Sequence, residues 1–268
     1  MRYSLLVSAC AAAIGTAALA PAAQISATFF EGTHGEVITS KFLAKYGFNV
    51  SAVNVGGGPN KAMIFDSRKR GTLDPDLEGW NAQVNPPQGP EWPIGNIKGK
   101  NDFGKLLVIA ENDIDANNNG LIDNPSDEGS RPAGRIIFDF RVPTLEFGLG
   151  VMDIEGPSEF GNNSGYIMTF EGIDTLGRGA AAQIGFGQFI TPGNPFYDPT
   201  IVFGDHSANR IKPILASQVG MASFSRVIVD LGGSGALDDI KVNYIPEPAG
   251  IFALAGAGAL FARRQRRA

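Results

Sequence analysis

Short apolar runs, usually four to eight residues long and separated by glycine, proline and Asn/Asp clusters, set the pattern of this chain. That punctuation reads as strands and turns. The candidate strands are Ser26–Phe30, Ala62–Phe65, Lys105–Ala110, Arg135–Phe140, Glu146–Ile154, Tyr166–Phe170, Gln183–Phe189, Thr200–Phe203, Ser223–Asp230 and Ile240–Tyr244. In Arg135–Phe140 and Ser225–Asp230 the polar groups fall at the ends or on alternate positions, as in strands with one buried face. One segment departs from the period: Val37, Phe42 and Tyr46 allow a short helix within Glu36–Tyr46, and Gly47 stops it. Gly71–Lys100 predicts a long loop, with Pro75, Pro86, Pro87, Pro90 and Pro93 and few apolar runs. No internal repeat is apparent. Strands of this length and spacing predict an all-β fold, an antiparallel two-sheet β-sandwich of jelly-roll type.

The two ends of the chain follow other patterns. Arg2 opens a short basic region, Leu5 to Leu19 is almost wholly apolar or small, and Ala20-Pro21-Ala22 offers an A-x-A cleavage site. Residues 1–22 therefore predict a signal peptide cut by signal peptidase. Val7-Ser8-Ala9-Cys10 has the form of a lipoprotein box, but the apolar stretch runs well beyond the cysteine. Residues 246–268 hold Pro246-Glu247-Pro248, an uncharged run from Ala249 to Ala262, and the arginines Arg263, Arg264, Arg266 and Arg267. A 14-residue helix reaches about 21 Å, short of the roughly 30 Å hydrocarbon core, so snorkelling arginines must complete a transmembrane span. Arginines stay cytoplasmic, which places residues 23–245 outside. The structural alternative is a buried C-terminal helix.

This tail resembles the PEP-CTERM signal of bacterial exosortase substrates, with its motif on Pro246, Glu247 and Pro248. The resemblance implies a Gram-negative exporter and a transient anchor in the inner membrane. It also implies cleavage near the motif by exosortase, a membrane-embedded cysteine protease, and then release or attachment at the cell surface. Such hosts often make exopolysaccharide. The signal is an address and does not say what its cargo does.

Removing both ends changes the charge. The precursor carries −5, whereas residues 23–245 carry 17 basic and 26 acidic groups, about −9. No basic face is visible to neutralise phosphates, so nucleic acid is excluded as a partner and divalent cations are favoured. The one cysteine, Cys10, leaves with the signal peptide, taking disulfides, a thiol nucleophile and thiolate metal ligation with it. What remains is one domain, long enough to bury a core without cross-links.

Within it, Ala62–Ser67, Asp74-Pro75-Asp76-Leu77, Leu106–Glu111, Ile137–Phe140, Val151–Ile154 and Ser234–Ile240 follow one another in order. Together they resemble a family of exported bacterial sandwich domains with galactose-binding-like topology, many carrying the same C-terminal signal. That family implies no common activity.

The sharpest chemistry lies between Asp113 and Glu128. Counting from Asp115, oxygen donors fall at positions 1, 3, 5 and 9 on Asp115, Asn117, Asn119 and Asp123, with Gly120 at 6 and the Leu121 carbonyl at 7. This is the spacing of an EF-hand calcium loop: alternate residues turn oxygens inward and glycine permits the sharp turn. Position 12 is Ser126, so Asp127 or Glu128 must supply the last carboxylate, and Asp113 stands close before the loop. The predicted cofactor is Ca2+, held in a connection between strands and not in a helix–loop–helix sensor. The alternative is a solvated Asn/Asp turn.

Other candidates are weaker. Asp238 and Asp239 precede the last strand; in galactose-binding-like sandwiches a carboxylate near this place can help hold a second calcium, and the alternative is a turn cap. Two of Asp66, Asp153, Glu155 and His206 would have to converge in one cleft for a hydrolase. No G-x-S-x-G, H-E-x-x-H or Cys/His cluster is present, and Gly56-Gly57-Gly58 lacks the lysine of a phosphate loop. Trp80 and Trp92, in the Pro/Gly-rich loop, either stack on sugar rings or pin the loop to the core. The expectation is an exported, noncatalytic, calcium-stabilised protein of the cell surface or extracellular matrix. The alternative is an exopolysaccharide-binding module.

Overall fold

Eleven strands account for most of the regular structure in the computed structural model, which describes residues 23–79, 92–97, 103–161 and 164–244. In chain order they are β1 (Ala23–Ala27), β2 (Val37–Ile38), β3 (Phe48–Asn54), β4 (Ala62–Asp66), β5 (Lys105–Ile109), β6 (Gly134–Met152), β7 (Ile167–Ile173), β8 (Gly179–Gly185), β9 (Ala208–Leu215), β10 (Ser223–Leu231) and β11 (Ala236–Tyr244). Helix is confined to single turns such as Leu43–Tyr46, which Gly47 ends as expected. The sequence allows a helix within Glu36–Tyr46, but Val37 and Ile38 are drawn instead into β2, beside β4. No helix among the described residues is long and apolar enough to cross a membrane.

The fold is all-β, and hydrogen bonds join its strands into one antiparallel network in the order β2-β4-β5-β11-β6-β10-β7-β8. β1 adds to β11, and β3 and β9 add to β6. Two separate sheets do not form because β6 belongs to both halves. Its first residues, Gly134–Phe140, pair with β3, and with β10 as far as Asp139. After a register shift β10 reaches Thr144, and from there to Met152 β6 pairs with β11, and from Glu146 with β9. The sequence divides this 19-residue strand into Arg135–Phe140 and Glu146–Ile154. Phe138 and Phe147 lie about 30 Å apart along a straight strand. Their rings nonetheless meet at 5.5 Å, and Phe147 also touches Phe140 at 6.1 Å and Phe170 at 6.4 Å. The strand must therefore fold back between them, which closes the network over a shared core and makes the fold sandwich-like.

Alternation then creates a second apolar layer. On β4, Ala62 and Ile64 join the main core, while Met63 and Phe65 face the other way. On β5, Leu107 and Ile109 join the main core, and Leu106 and Val108 oppose them. Side chains on the opposing face need a cover. The connection from β4 to β5 supplies it, through Leu77, Trp92, Ile97 and Phe103. Its two ends meet where the Ser67 hydroxyl donates to the Phe103 carbonyl at 2.9 Å.

Strands β3 and β9 are absent from the sequence prediction. β3 buries Phe48, Val50 and Ala52 and exposes Asn49 and Ser51. β9 contains Pro213, tolerated because β9 pairs with β6 alone and the register slips between Phe147 and Leu149. Conversely, Thr200–Phe203 is not a strand.

Phe147→Ala should cost about 4 kcal/mol in urea-induced unfolding. Leu176→Ala, at a side chain 72 % exposed, should stay within about 0.5 kcal/mol. Equal effects would remove the central contact from the account of the fold.

Candidate functional site

Beyond β5 the chain turns out and returns alongside itself. Glu128 N–H donates to the Ile109 carbonyl at 2.9 Å, Glu111 N–H donates to the Ser126 carbonyl at 3.2 Å, and Ala110 bridges Asp127. The residues between are thereby closed into a loop, cinched again where Asp123 N–H donates to the Ile114 carbonyl at 2.7 Å.

Asp115 sits at its centre. One carboxylate oxygen accepts Asn119 N–H at 3.0 Å and the other accepts Gly120 N–H at 2.8 Å. The Asn117 side-chain oxygen also accepts Asn119 N–H at 3.0 Å, and that of Asn119 accepts Leu121 N–H at 2.8 Å. Asp123 receives Ala116 N–H at 2.8 Å and the Asn117 amide at 2.7 Å. Gly120 makes the turn at φ +82°, where a side chain would be strained. Asp115, Asn117, Asn119 and Asp123 thus converge on one turn, with Leu121 following. The donors are all oxygens, which suits a hard cation such as Ca2+.

The remaining predicted ligands go elsewhere. Asp113 pairs with Lys61 at 2.9 Å on the surface. Glu128 accepts the Asn54 amide at 2.7 Å and Ser130 N–H at 2.9 Å. Asp127 is buried and accepts Ser234 Oγ–H at 2.8 Å and Gly235 N–H at 2.6 Å. The reason is backbone: both residues run beside the end of β5, which turns their side chains away from the loop. Among the described residues no three His, Cys, Asp or Glu side chains are placed to hold a metal ion together. The loop itself offers two carboxylates, and its other side-chain donors are amides.

The loop is latched to the body of the fold. Ile122 is buried, and its N–H donates to the Gly35 carbonyl at 2.8 Å. Gly35 lies at φ +83°, and a β-carbon there would collide with the Ile122 backbone. Beside this latch is a cleft of about 410 Å³ between Lys69–Thr72 and Asn119–Pro125, with His34 in its lining.

Asp239 accepts Ser26 Oγ–H at 2.7 Å and Arg210 Nε–H at 2.5 Å, with Lys241 at 3.3 Å. Basic side chains therefore occupy the place a second calcium would need. Neighbouring Asp238 is buried with neither oxygen hydrogen-bonded among the described residues, and burial raises its pKa well above the carboxylate range. Trp92, 1 % exposed, packs edge-on against His206 at 5.5 Å and has no free face for a sugar. Trp80, Pro246, Glu247, Pro248, Arg263, Arg264, Arg266 and Arg267 lie outside the described residues.

A second acidic group escapes the sequence reading as a site. Asp127 N–H donates to Asp74 Oδ2 at 3.1 Å, and Ser234 Oγ–H lies 3.0 Å from Asp153 Oδ2 while it donates to Asp127. His206 N–H donates to Asp153 Oδ1 at 2.7 Å, and both residues have left-handed backbones, at φ +58° and +55°. No lysine or arginine forms an ion pair with Asp74, Asp76, Asp127, Asp153 or Asp205 among the described residues. Burial, then the Asp74 carboxyl, holds Asp127 well above the carboxylate range. Burial likewise pushes Asp153 up to about 6. Glu155, buried and bonded to the Tyr166 hydroxyl, rises by burial to about 7. The Asp-Pro-Asp at 74–76 and the pair Asp153 and Glu155 are visible in the sequence, but their convergence is a tertiary fact.

Asp66 stands apart from this group. Burial alone would raise it, but hydrogen bonds from Arg68 at 2.9 Å and Lys105 at 2.6 Å prevail and hold it at about 2. Of the four candidate hydrolase residues, Asp153 and His206 are brought together, through the His206 backbone N–H, whereas Asp66 is committed to Arg68 and Lys105.

Asp153 and Glu155 bind protons more tightly folded than unfolded. Their contribution to stability is complete below their unfolded values, 3.8 and 4.5, and is lost as pH rises through about 6 and about 7. Asp66, held low, acts in the opposite sense only below about pH 4. His34, held down to about 4, also acts in the opposite sense up to its unfolded 6.5. Asp153 and Glu155 together outweigh it, so the melting temperature should fall between about pH 4.5 and about pH 7. Asp153→Asn with Glu155→Gln should flatten that slope, and a wild-type melting temperature that rises across this range would contradict the assignment. No family model matches the chain, and no match was found among curated proteins or solved structures.

Proposed function

We propose that this chain is an exported, noncatalytic, calcium-stabilised protein of the cell surface or extracellular matrix of a Gram-negative bacterium, delivered by exosortase. The observation that carries the calcium reading is the closed turn of Asp115, Asn117, Asn119 and Asp123 around Gly120, an all-oxygen donor set. The export reading rests on Pro246-Glu247-Pro248, the apolar run and the terminal arginines. The bent β6 and its two sets of partners suit a jelly-roll sandwich of galactose-binding-like type. With no third carboxylate turned into the loop, the site is suited to the millimolar calcium met outside cells.

The hydrolase reading is weaker: Asp66 is committed to Arg68 and Lys105, and Asp153 meets the backbone N–H of His206 while the imidazole is bonded to the Glu78 carbonyl. A second reading, as a carbohydrate-binding module, is favoured by the cleft beside the loop and not by Trp92.

Calcium at about 100 times its dissociation constant should stabilise the protein by about 2.7 kcal/mol, raising the melting temperature by roughly 5–10 °C for a chain of this size. EDTA should reverse the shift, and Asp115→Asn should abolish most of it. An identical melting curve in 10 mM calcium (a concentration of roughly the upper extracellular order) and in EDTA would sink the calcium reading.

A further inference from the structure

We propose that the cleft between Lys69–Thr72 and Asn119–Pro125 is a binding site for an acidic saccharide of the uronic-acid class. Its volume, about 410 Å³, is within the range of small-ligand sites and far exceeds the needs of an inorganic anion.

The two long walls differ in chemistry. Lys69 and Arg70 place two cations on one side, and the Lys69 ammonium makes no ion pair among the described residues. Cations so placed select a carboxylate through charge-assisted hydrogen bonds. Asn119, Asp123 and Asn124 stand on the other side, supplying amide and carboxylate groups that can exchange hydrogen bonds with ring hydroxyls. Leu121 adds apolar surface for the C–H face of a sugar ring. A ligand that satisfies all three surfaces carries a carboxylate, several hydroxyls and a compact ring.

His34 fixes the orientation of one further donor. Asp66 N–H donates to His34 Nδ1 at 3.0 Å, and Phe65 packs edge-on against the imidazole at 5.2 Å. With Nδ1 accepting, the neutral ring carries its proton on Nε2. Burial, helped by Lys69, pushes the imidazole down to about 4, so this tautomer persists across ordinary pH. The donor is held by strand residues, and the amide wall is latched to Gly35 through Ile122. The His34 donor and the amide wall are thus preorganised, which lowers the ordering cost of binding.

The surrounding domain is acidic, so a polyanion must bind through local contacts and not through the long-range field. Moderate salt should then weaken binding only modestly. The inference relies on the exported reading only for the setting in which polysaccharide is met, and it does not require a metal in the loop that forms the amide wall.

The test is titration calorimetry of the full-length chain in detergent with glucuronate and galacturonate oligomers, neutral glucose and galactose oligomers, and inorganic phosphate, each in calcium and in EDTA. Uronate oligomers should bind at least about tenfold more tightly than neutral ones. Lys69→Gln with Arg70→Gln should remove that preference, Lys69→Gln alone should weaken it without changing the melting temperature, and Lys69→Arg should retain it. Binding of uronates in both calcium and EDTA would support the cleft even if the calcium-dependent stability failed to appear. Absence of uronate binding, equal binding by the double variant, or complete displacement by equimolar phosphate would overturn the proposal.

Discussion

Strand β6 must serve two sets of neighbours while keeping Phe138 against Phe147, and no straight strand can do so. Its reversal places Phe138, Phe147 and Phe170 in one continuous core and makes β3, β9, β10 and β11 all dependent on one stretch of backbone. Aromatic contacts of this sort add about 0.5–1.5 kcal/mol each beyond simple burial. The larger effect is geometric. Once β6 is bent, the register of its partners follows, and so does the line along which β5 ends and the Asp115 loop begins.

Much of this was legible wherever local pattern and tertiary role agree. Ala62–Phe65, Lys105–Ala110 and Ser223–Asp230 are strands almost as read, because their β-branched and aromatic content and turn boundaries point one way. Three regions resist for identifiable reasons. β6 carries Pro143, which divides the pattern locally although hydrogen bonding continues through neighbours on both sides. β9 is interrupted by Pro213, whose cost falls away only because β9 pairs with β6 alone. β3 alternates strictly from Phe48 to Ala52, so its signal was present, but flanking glycine-rich turns obscured it.

The candidate site divides along the same line. The Asp115–Asp123 turn is local: its spacing determines which oxygens meet, and the hydrogen bonds follow that spacing. The fate of Asp127 and Glu128 is not local, since the pairing of their backbone with β5 decides it. The group of Asp74, Asp127, Asp153 and Ser234 draws on four separate segments, and no spacing could have announced it. The outcome is two acidic regions of opposite character. One is exposed and fully supplied with N–H donors; the other is buried and keeps protons that ordinary carboxyls would release.

The covering of β4 and β5 by the connection between them has an evolutionary side. Because that connection leaves and re-enters at adjacent points, its length and composition can vary at little entropic cost and without shifting strand register. Its inner side chains are under a different constraint, since Leu77, Trp92 and Phe103 shield Met63, Phe65 and Val108 from water. A descendant could therefore lengthen or replace the outer part freely, acquiring new surface chemistry on an unchanged frame. One that lost the inner part would keep its fold and turn adhesive, with a bare apolar sheet face as the contact surface.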